Sequence, residues 1–325
     1  MEKEPGLYLL GGFALDSDLP LPELLLEDET PAGFQRVEIR LGSVSLALPG
    51  SIEIYPGCFA SPQEYLLHIP GVGRYLVSHG SKVIVEPEDN ALELDVRGYL
   101  LSTVFVVLCH QRGLLPLHAS AVEFDDRVVA FLAESGQGKS SLAAHLAGRG
   151  FRVVADDICL VDLRHGSPAV IPVAPWLKLW RTALTHLGHP AEGLARIFSD
   201  DDKYRLPLDS AGAAVSGEMR KRYPIGKLVI LGKPNLASED SPTTHSRIEE
   251  LTPIRALPML MNLTHHAFLL EAMGRREQNF VACGRVLSQA QAFQLTRPWG
   301  LEHMEATIDL LESFIRHGAI ALEKR

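Results

Sequence analysis

The strongest indication of the fold class is the sequence Ala133-Glu-Ser-Gly-Gln-Gly-Lys-Ser140. It ends the apolar run of residues 128–133, which is the kind of segment that forms a strand covered on both faces. Residues 140–147 follow with helical character, and residues 151–155 again form an apolar run. The order strand, glycine-rich turn, helix and strand predicts an α/β fold.

The glycine-rich turn has the composition of a phosphate-binding loop. It matches the pattern G-x-x-x-x-G-K-[ST] except at the first position, where Ala133 replaces glycine. Backbone N–H groups and the positive end of the following helix favour a polyphosphate, Lys139 would reach the β- and γ-phosphates, and Ser140 would bind Mg²⁺. The alternative is a glycine-rich turn that only caps a helix. We predict an ATP site formed by Glu134, Ser135, Gly136, Gln137, Gly138, Lys139, Ser140 and Ser141.

Two carboxylates, Asp156 and Asp157, come directly after the second apolar run. If that run is a parallel neighbour of the strand before the loop, its carboxyl end reaches the same sheet edge, where open α/β sheets bind ligands. One carboxylate can then hold Mg²⁺, and the other can accept a proton from an attacking hydroxyl. The alternative is an ordinary acidic turn after a strand.

The histidines carry a weaker signal. His118 lies ahead of the strand that leads into the loop, and a lone histidine is more often a core residue than a functional one. His186 and His189 flank a turn, and His265 and His266 are adjacent. Neither pair has a carboxylate at metal-site spacing, so we predict structural roles for both pairs.

The first third of the chain has a different pattern. Residues 6–95 are short apolar segments broken by turn residues, which predicts a β-rich unit, and residues 96–112 have a helical period. In the remainder, residues 185–216 look irregular, and we expect two further strands and a C-terminal helix at residues 227–231, 267–270 and 300–317. We therefore predict a β-rich domain with a connecting helix at residues 1–113 and a catalytic domain at residues 114–325.

Composition limits the function classes. The chain has 325 residues, of which 46% are hydrophobic, and a formal net charge of −9, which argues against a nucleic-acid binder. The four cysteines are far apart, so neither a zinc site nor a disulfide framework is indicated. The N-terminus has no signal-peptide pattern, and the longest apolar run is too short for a membrane span. We expect a soluble cytoplasmic protein without nucleic-acid or membrane partners.

Four segments together resemble the catalytic core of the HPr kinase/phosphorylase family. They are Leu117-His118, Ser135-Gly-Gln-Gly-Lys-Ser140, Arg149-Gly150 and Val154-Ala-Asp-Asp157. The resemblance implies a P-loop kinase core of the HPr kinase C-terminal type behind a smaller β-rich N-terminal domain. It implies Asp156 as the base, Asp157 and Ser140 at the metal, and His118 beside the reacting phosphate.

The sequence departs from that family in one motif. The Glu-Arg-Gly signature of the bifunctional enzymes does not occur after Asp157, so a second metal contact and phosphorolysis are not implied. Residues 12–23 and 177–180 look more like HPr-kinase-related proteins of peptide natural-product pathways. Some of those resemble lasso-peptide precursor kinases that phosphorylate a serine.

These features predict an ATP- and Mg²⁺-dependent kinase that transfers the γ-phosphoryl group to a serine-type hydroxyl of a protein or peptide. A kinase for a small molecule such as free serine is one alternative, and a non-catalytic ATP-binding regulatory module is another. Asp156 argues against the second alternative, because a module that only binds ATP has no use for a base. The β-rich unit favours a peptide acceptor, and the sequence leaves open a homo-oligomer.

Overall fold

The computed structural model describes residues 6–208, 220–232 and 245–318. Its N-terminal part is a nine-stranded sheet. The predicted β-rich character of this part is confirmed, whereas its boundary as a domain stays a prediction. The strands are β1 (Gly6–Leu10), β2 (Phe13–Ser17), β3 (Leu25–Glu27), β4 (Gln35–Leu41), β5 (Ile52–Tyr55), β6 (Cys58–Ala60), β7 (Glu64–Ile69), β8 (Gly73–Ser78) and β9 (Lys82–Pro87). They lie in the order β3-β1-β2-β4-β9-β8-β7-β6-β5.

A helical segment follows the sheet and joins it to the rest of the chain. It consists of α1 (Glu93–Tyr99), a π-helical stretch (Leu100–Val104) and α2 (Phe105–Gln111). The Phe105 ring is buried and meets the Phe13 ring edge to face at 5.6 Å. The same apolar cluster contains Ile158 and Leu160 from the second half of the chain. The helical segment therefore packs against both halves.

The second half has mixed α/β structure, as the sequence predicts. Its helices are α3 (Lys139–Gly148), α4 (Arg181–His186), α5 (Pro253–Asn262), α6 (Arg276–Leu287) and α7 (Met304–His317). Its strands are β10 (Leu115–Phe124), β11 (Arg127–Leu132), β12 (Arg152–Ala155), β13 (Ile158–Asp162), β14 (Ala169–Ile171), β15 (Trp176–Trp180), β16 (Lys203–Pro207), β17 (Tyr223–Leu231), β18 (Arg247–Leu251) and β19 (Gln291–Thr296).

Helices cover both faces of the main sheet in this half. Successive side chains of a strand point to opposite faces. In β11, Val129 and Phe131 accordingly join an apolar cluster with α3 and α7, while Val128, Ala130 and Leu132 join another with α5 and α6. This double burial explains the nearly continuous apolar run ahead of the glycine-rich turn.

The strand pairing corrects one expectation about the second apolar run. That run, β12, is not hydrogen-bonded to β11, because β10 lies between them and pairs antiparallel with both. Two antiparallel steps leave β11 and β12 parallel in direction, so their carboxyl ends still reach the same edge. The sheet order is β11-β10-β13-β14-β17-β19-β18, with an additional parallel pairing of β11 and β17.

Two further expectations need correction. Residues 267–270 do not form a strand; Ala267–Leu269 is a 3-10 turn, preceded by His266 in the left-handed region with φ of +53°. The predicted irregular segment, residues 185–216, contains the strand β16, and its part after residue 208 lies outside the described residues. Within the described ranges, no helix is long and apolar enough to cross a membrane.

The position of Phe105 between the two halves makes it a sensitive test of their packing. Replacing a buried phenylalanine by alanine removes apolar contacts and leaves a cavity. We expect Phe105→Ala to lower the free energy of unfolding, measured in urea, by about 3–5 kcal/mol. The exposed Phe280 provides the control. Phe280→Ala should change the free energy of unfolding by less than about 0.5 kcal/mol. Equal values for the two variants would contradict this packing.

Candidate active site

The glycine-rich turn, residues 133–138, leads from β11 into α3 and is called the glycine loop below. Gly136 and Gly138 both lie in the left-handed region, with φ of +80° and +81°. A Cβ on Gly138 would lie 2.7 Å from Nη2 of Arg297, which itself donates a hydrogen bond of 2.9 Å to the carbonyl of Gln137. Glycine is therefore required at position 138 for both conformation and space.

Lys139 begins α3 and turns back beneath the glycine loop. Its ammonium group donates hydrogen bonds to the carbonyls of Ala133 (2.9 Å) and Glu134 (3.0 Å). Burial lowers the pKa of Lys139 to about 8, although the negative charges of Asp157 and Asp156 act in the opposite direction. Lys139 is thus a buried cation whose charge is easily changed near pH 8.

Asp156 follows β12, and its carboxylate connects the end of that strand to β10 and β15 by hydrogen bonds. Its Oδ1 accepts a hydrogen bond of 2.6 Å from the Ser120 hydroxyl on β10, and its Oδ2 accepts one of 2.6 Å from the backbone N–H of Lys178 on β15. The carboxylate is buried, and these donors replace the water that it loses. Each of its oxygens keeps a second acceptor position.

Asp157 has a different environment from its neighbour. Its backbone is left-handed, with φ of +66°, and its Oδ2 lies 2.6 Å from the Lys178 ammonium. Its Oδ1 lies 3.4 Å from Nε2 of His118 and 3.9 Å from Nε2 of His265. Burial alone would raise the pKa of Asp157, but Lys178 and the two histidines outweigh it and hold that pKa well below its ordinary value. Asp157 is therefore ionised throughout the neutral range.

Backbone hydrogen bonds hold the two histidines in place. The N–H of His118 donates to the carbonyl of Leu263 at 2.8 Å, and the N–H of His265 donates to the carbonyl of Pro116 at 2.8 Å. Burial lowers the pKa of His118, although Asp157 favours its charged form. Ligand atoms of His118, Asp157 and His265 lie within 4.8 Å of one another, so these residues can also hold a divalent ion.

Two adjoining cavities open at this point. The first has an empty volume of about 880 Å³ and is lined by the glycine loop, the start of α3 and the Arg297–Met304 segment. The second has an empty volume of about 1430 Å³ and is lined by residues of the connecting helical segment and by the segment that contains His265. We call the residues that line both cavities the junction; they are His118, Ser135, Asp157, Lys178 and Lys203.

The structure brings most of the residues predicted from the sequence to these cavities. Glu134 lines the second cavity, whereas Asp156 and Gln137, among the described residues, line neither. The first cavity is lined by His118, Ser135, Gly136, Gly138, Lys139, Ser140, Ser141 and Asp157.

Sequence reasoning missed three side chains near this site. The prediction of a purely structural role for His265 is not supported by its position 3.9 Å from Asp157. Arg297 and Lys178 are not among the predicted site residues. The sequence pattern could have indicated Lys178. On β15 it lies between Leu177 and Leu179, which are buried, and successive side chains of a strand point to opposite faces, so Lys178 points to the other face.

Comparisons with known proteins give little further information. No protein family model matches the sequence, and no curated protein does. Among solved structures, the Hpr(Ser) kinase/phosphatase from Coxiella burnetii is similar with a TM-score of 0.33 and 15% sequence identity, covering 62% of this chain and 88% of that chain. This is a distant structural likeness.

The lowered pKa of Lys139 predicts a pH dependence of anion binding. Below pH 8 the side chain is an ammonium ion that attracts a polyphosphate, and as the pH rises through about 8 the charge is lost. Lys139→Ala should bind inorganic tripolyphosphate more weakly than wild type, as measured by calorimetry. The ratio of the wild-type affinity to the Lys139→Ala affinity cancels the titration of the ligand itself, and we expect this ratio to decrease from pH 7 to pH 9 (both about one unit from that pKa). An identical pH profile in both proteins would show that another group is responsible.

Proposed function

We propose that this protein is an ATP- and Mg²⁺-dependent kinase that transfers the γ-phosphoryl group to a serine-type hydroxyl of a protein or peptide. The observation that carries the proposal is the junction, where Asp157, His118 and Lys178 line two adjoining cavities. A phosphoryl-transfer enzyme needs a donor site and an acceptor site that meet at the reacting group. Two cavities that share the junction support the proposal, because one can serve as the donor site and the other as the acceptor site.

The lining of the first cavity supports a nucleotide ligand. The glycine loop and the start of α3 form one wall, and the Arg297–Met304 segment forms another. The glycine loop offers close backbone approach for phosphates at Gly136 and Gly138, and Lys139 supplies a positive charge. The Ser140 hydroxyl and the Asp157 carboxylate are oxygen ligands of the kind that Mg²⁺ prefers. Mg²⁺ bound there would neutralise the charge of the β- and γ-phosphates.

In the proposed reaction, the acceptor oxygen attacks the γ-phosphorus from the second cavity. The new O–P bond forms as the bond between the γ-phosphorus and the β–γ bridging oxygen breaks, and ADP leaves with that electron pair. Lys139 and Lys178 stabilise the negative charge of the transferred group by position and charge, which is the main requirement of phosphoryl transfer. His118, whose Nε2 lies 3.4 Å from Asp157 at the junction, is proposed to lie beside the transferred phosphoryl group.

Asp156 is proposed to accept the proton of the acceptor hydroxyl. The second acceptor position on each carboxylate oxygen allows this role in addition to the bonds from Ser120 and Lys178. Asp157 is proposed to hold the metal, since its lowered pKa keeps it a carboxylate ligand. A competing assignment makes Asp157 the base and Asp156 the metal ligand. It is favoured by the cavity lining, which includes Asp157 and does not include Asp156.

The second cavity supports a peptide acceptor over a free amino acid. Its lining comes mainly from three separate segments, residues 99–103, 197–203 and 262–268, and this is a broader surface than one serine requires. Its walls include Tyr99, Ser102 and Thr103 of the connecting helical segment as well as Phe198 and Phe268. A wall of aromatic and hydroxyl side chains offers apolar contacts and hydrogen bonds to residues that flank an acceptor serine.

The proposal is tested by incubating the full chain with Mg²⁺, γ-labelled ATP, a library of serine-containing peptides and free L-serine. We expect the label on peptide serine, detected by mass spectrometry. Label on free serine alone would replace the proposal by a small-molecule kinase. ATP binding without transfer to any acceptor would replace it by a regulatory module.

The two carboxylates should respond differently to substitution. Asn at position 156 can keep both contacts, because its amide oxygen accepts from the Lys178 N–H and its amide nitrogen donates to the Ser120 hydroxyl. Asp156→Asn should therefore keep Mg–ATP binding but lose roughly two to four orders of magnitude in turnover, the usual contribution of a positioned base. Asp157→Asn should instead raise the Mg²⁺ concentration needed for half-maximal turnover. The exposed Asp28 gives a matched control, Asp28→Asn, which should leave both quantities unchanged. Full turnover in Asp156→Asn, with loss in Asp157→Asn that saturating Mg²⁺ does not restore, would reverse the two assignments.

A further inference from the structure

Two tryptophans on the first cavity are unusually exposed. Trp180, at the end of β15, and Trp299, after β19, each keep 47% of their surface accessible, whereas Trp176 is buried. Both exposed rings line the first cavity and not the second. The proposed phosphate and acceptor chemistry makes no use of either ring. A large apolar side chain held open in a ligand cavity indicates contact with an apolar part of the ligand.

The lining near these rings is also largely apolar. Residues that line only the first cavity include Leu179, Ala183, Leu301 and Met304, with Thr182 as a hydroxyl-bearing neighbour. The glycine loop and the junction are instead polar and charged, because they carry lysines, a histidine and a carboxylate. The cavity therefore has a charged part for phosphates and an apolar part for an uncharged group of the same ligand.

Trp299 is tied to the glycine loop through its own segment. The guanidinium of Arg297, two residues earlier, lies over the Trp299 ring at 5.5 Å and donates the hydrogen bond of 2.9 Å to the carbonyl of Gln137. Trp180, in contrast, is associated with Lys203 of the junction, whose ammonium lies 5.7 Å from the ring centre. One arginine thus fixes the phosphate-binding loop and the Trp299 ring relative to each other.

We propose that the apolar part of the first cavity is a nucleobase subsite and that the Trp299 ring is its stacking platform. This inference rests on the proposed nucleotide-binding function, and the ligand class is a nucleoside triphosphate. Stacking on an aromatic ring accepts every base, because each base has a π-face. The subsite therefore favours a nucleotide over bare tripolyphosphate and distinguishes ATP from GTP only weakly.

The experiment compares ATP, GTP and inorganic tripolyphosphate by calorimetry at constant Mg²⁺ concentration. Wild type should bind ATP and GTP within about tenfold of each other and tripolyphosphate more weakly. Trp299→Ala should weaken ATP and GTP by about 10- to 100-fold and leave tripolyphosphate unchanged. Trp299→Phe should restore most of the nucleotide affinity. Phe280→Ala, which removes an exposed ring elsewhere, should change none of the three.

Each other outcome has a definite meaning. Equal weakening of all three ligands by Trp299→Ala would show that the ring only supports the glycine loop, and unchanged ATP binding would remove it from the site; either result overturns the inference. If Trp180→Ala, and not Trp299→Ala, weakened ATP and GTP while leaving tripolyphosphate unchanged, the assignment of Trp299 as the platform would be overturned. Lys139→Ala separates the two proposals, because it should weaken all three ligands if the phosphate site is correct. Wild type that binds none of them would refute the proposed function itself.

Discussion

The site depends on the buried carboxylate of Asp156. Its two hydrogen bonds of 2.6 Å join the end of β12 to Ser120 on β10 and to the backbone of Lys178 on β15. A buried carboxylate without such donors would cost several kcal/mol, so the three strands are held to this geometry. The same residue, Lys178, then places its ammonium on Asp157. Two consecutive aspartates therefore use the backbone and the side chain of one lysine, which fixes the junction.

Local sequence patterns predicted the part of the site that is contiguous in the chain. The glycine loop, α3 and the aspartates after β12 follow from composition and spacing, because the apolar run, the positive-φ glycines and the helix start are neighbours in sequence. The insertion of β10 between β11 and β12 could not be predicted, since strand order depends on pairing between distant segments. His265 was missed for the same reason. It reaches Asp157 only because its N–H bonds to Pro116, about half the chain away.

The connecting helical segment contributes to both halves of the chain, although a division at residue 113 assigns it to the first half alone. Phe105 packs in a cluster that includes Leu160, so the segment contributes to the packing of the second half. Its π-helical stretch, Leu100–Val104, places Ser102 and Thr103 on the second cavity. π-helical turns within α-helices occur frequently at functional sites, because the extra residue shifts side chains around the axis. The first half of the chain thereby forms one wall of the proposed acceptor cavity.

The hydrogen bonds of Lys139 to its own loop carbonyls have a consequence for selectivity among anions. The ammonium is already solvated by protein, so an incoming anion competes with two carbonyl oxygens and gains only the difference. A single phosphate makes few other contacts with which to offset this loss. A ligand that spans the cavity gains contacts along its whole length and can draw the lysine away from the loop. At the proposed phosphate site, the resting loop would therefore favour a long polyanion over a single small anion.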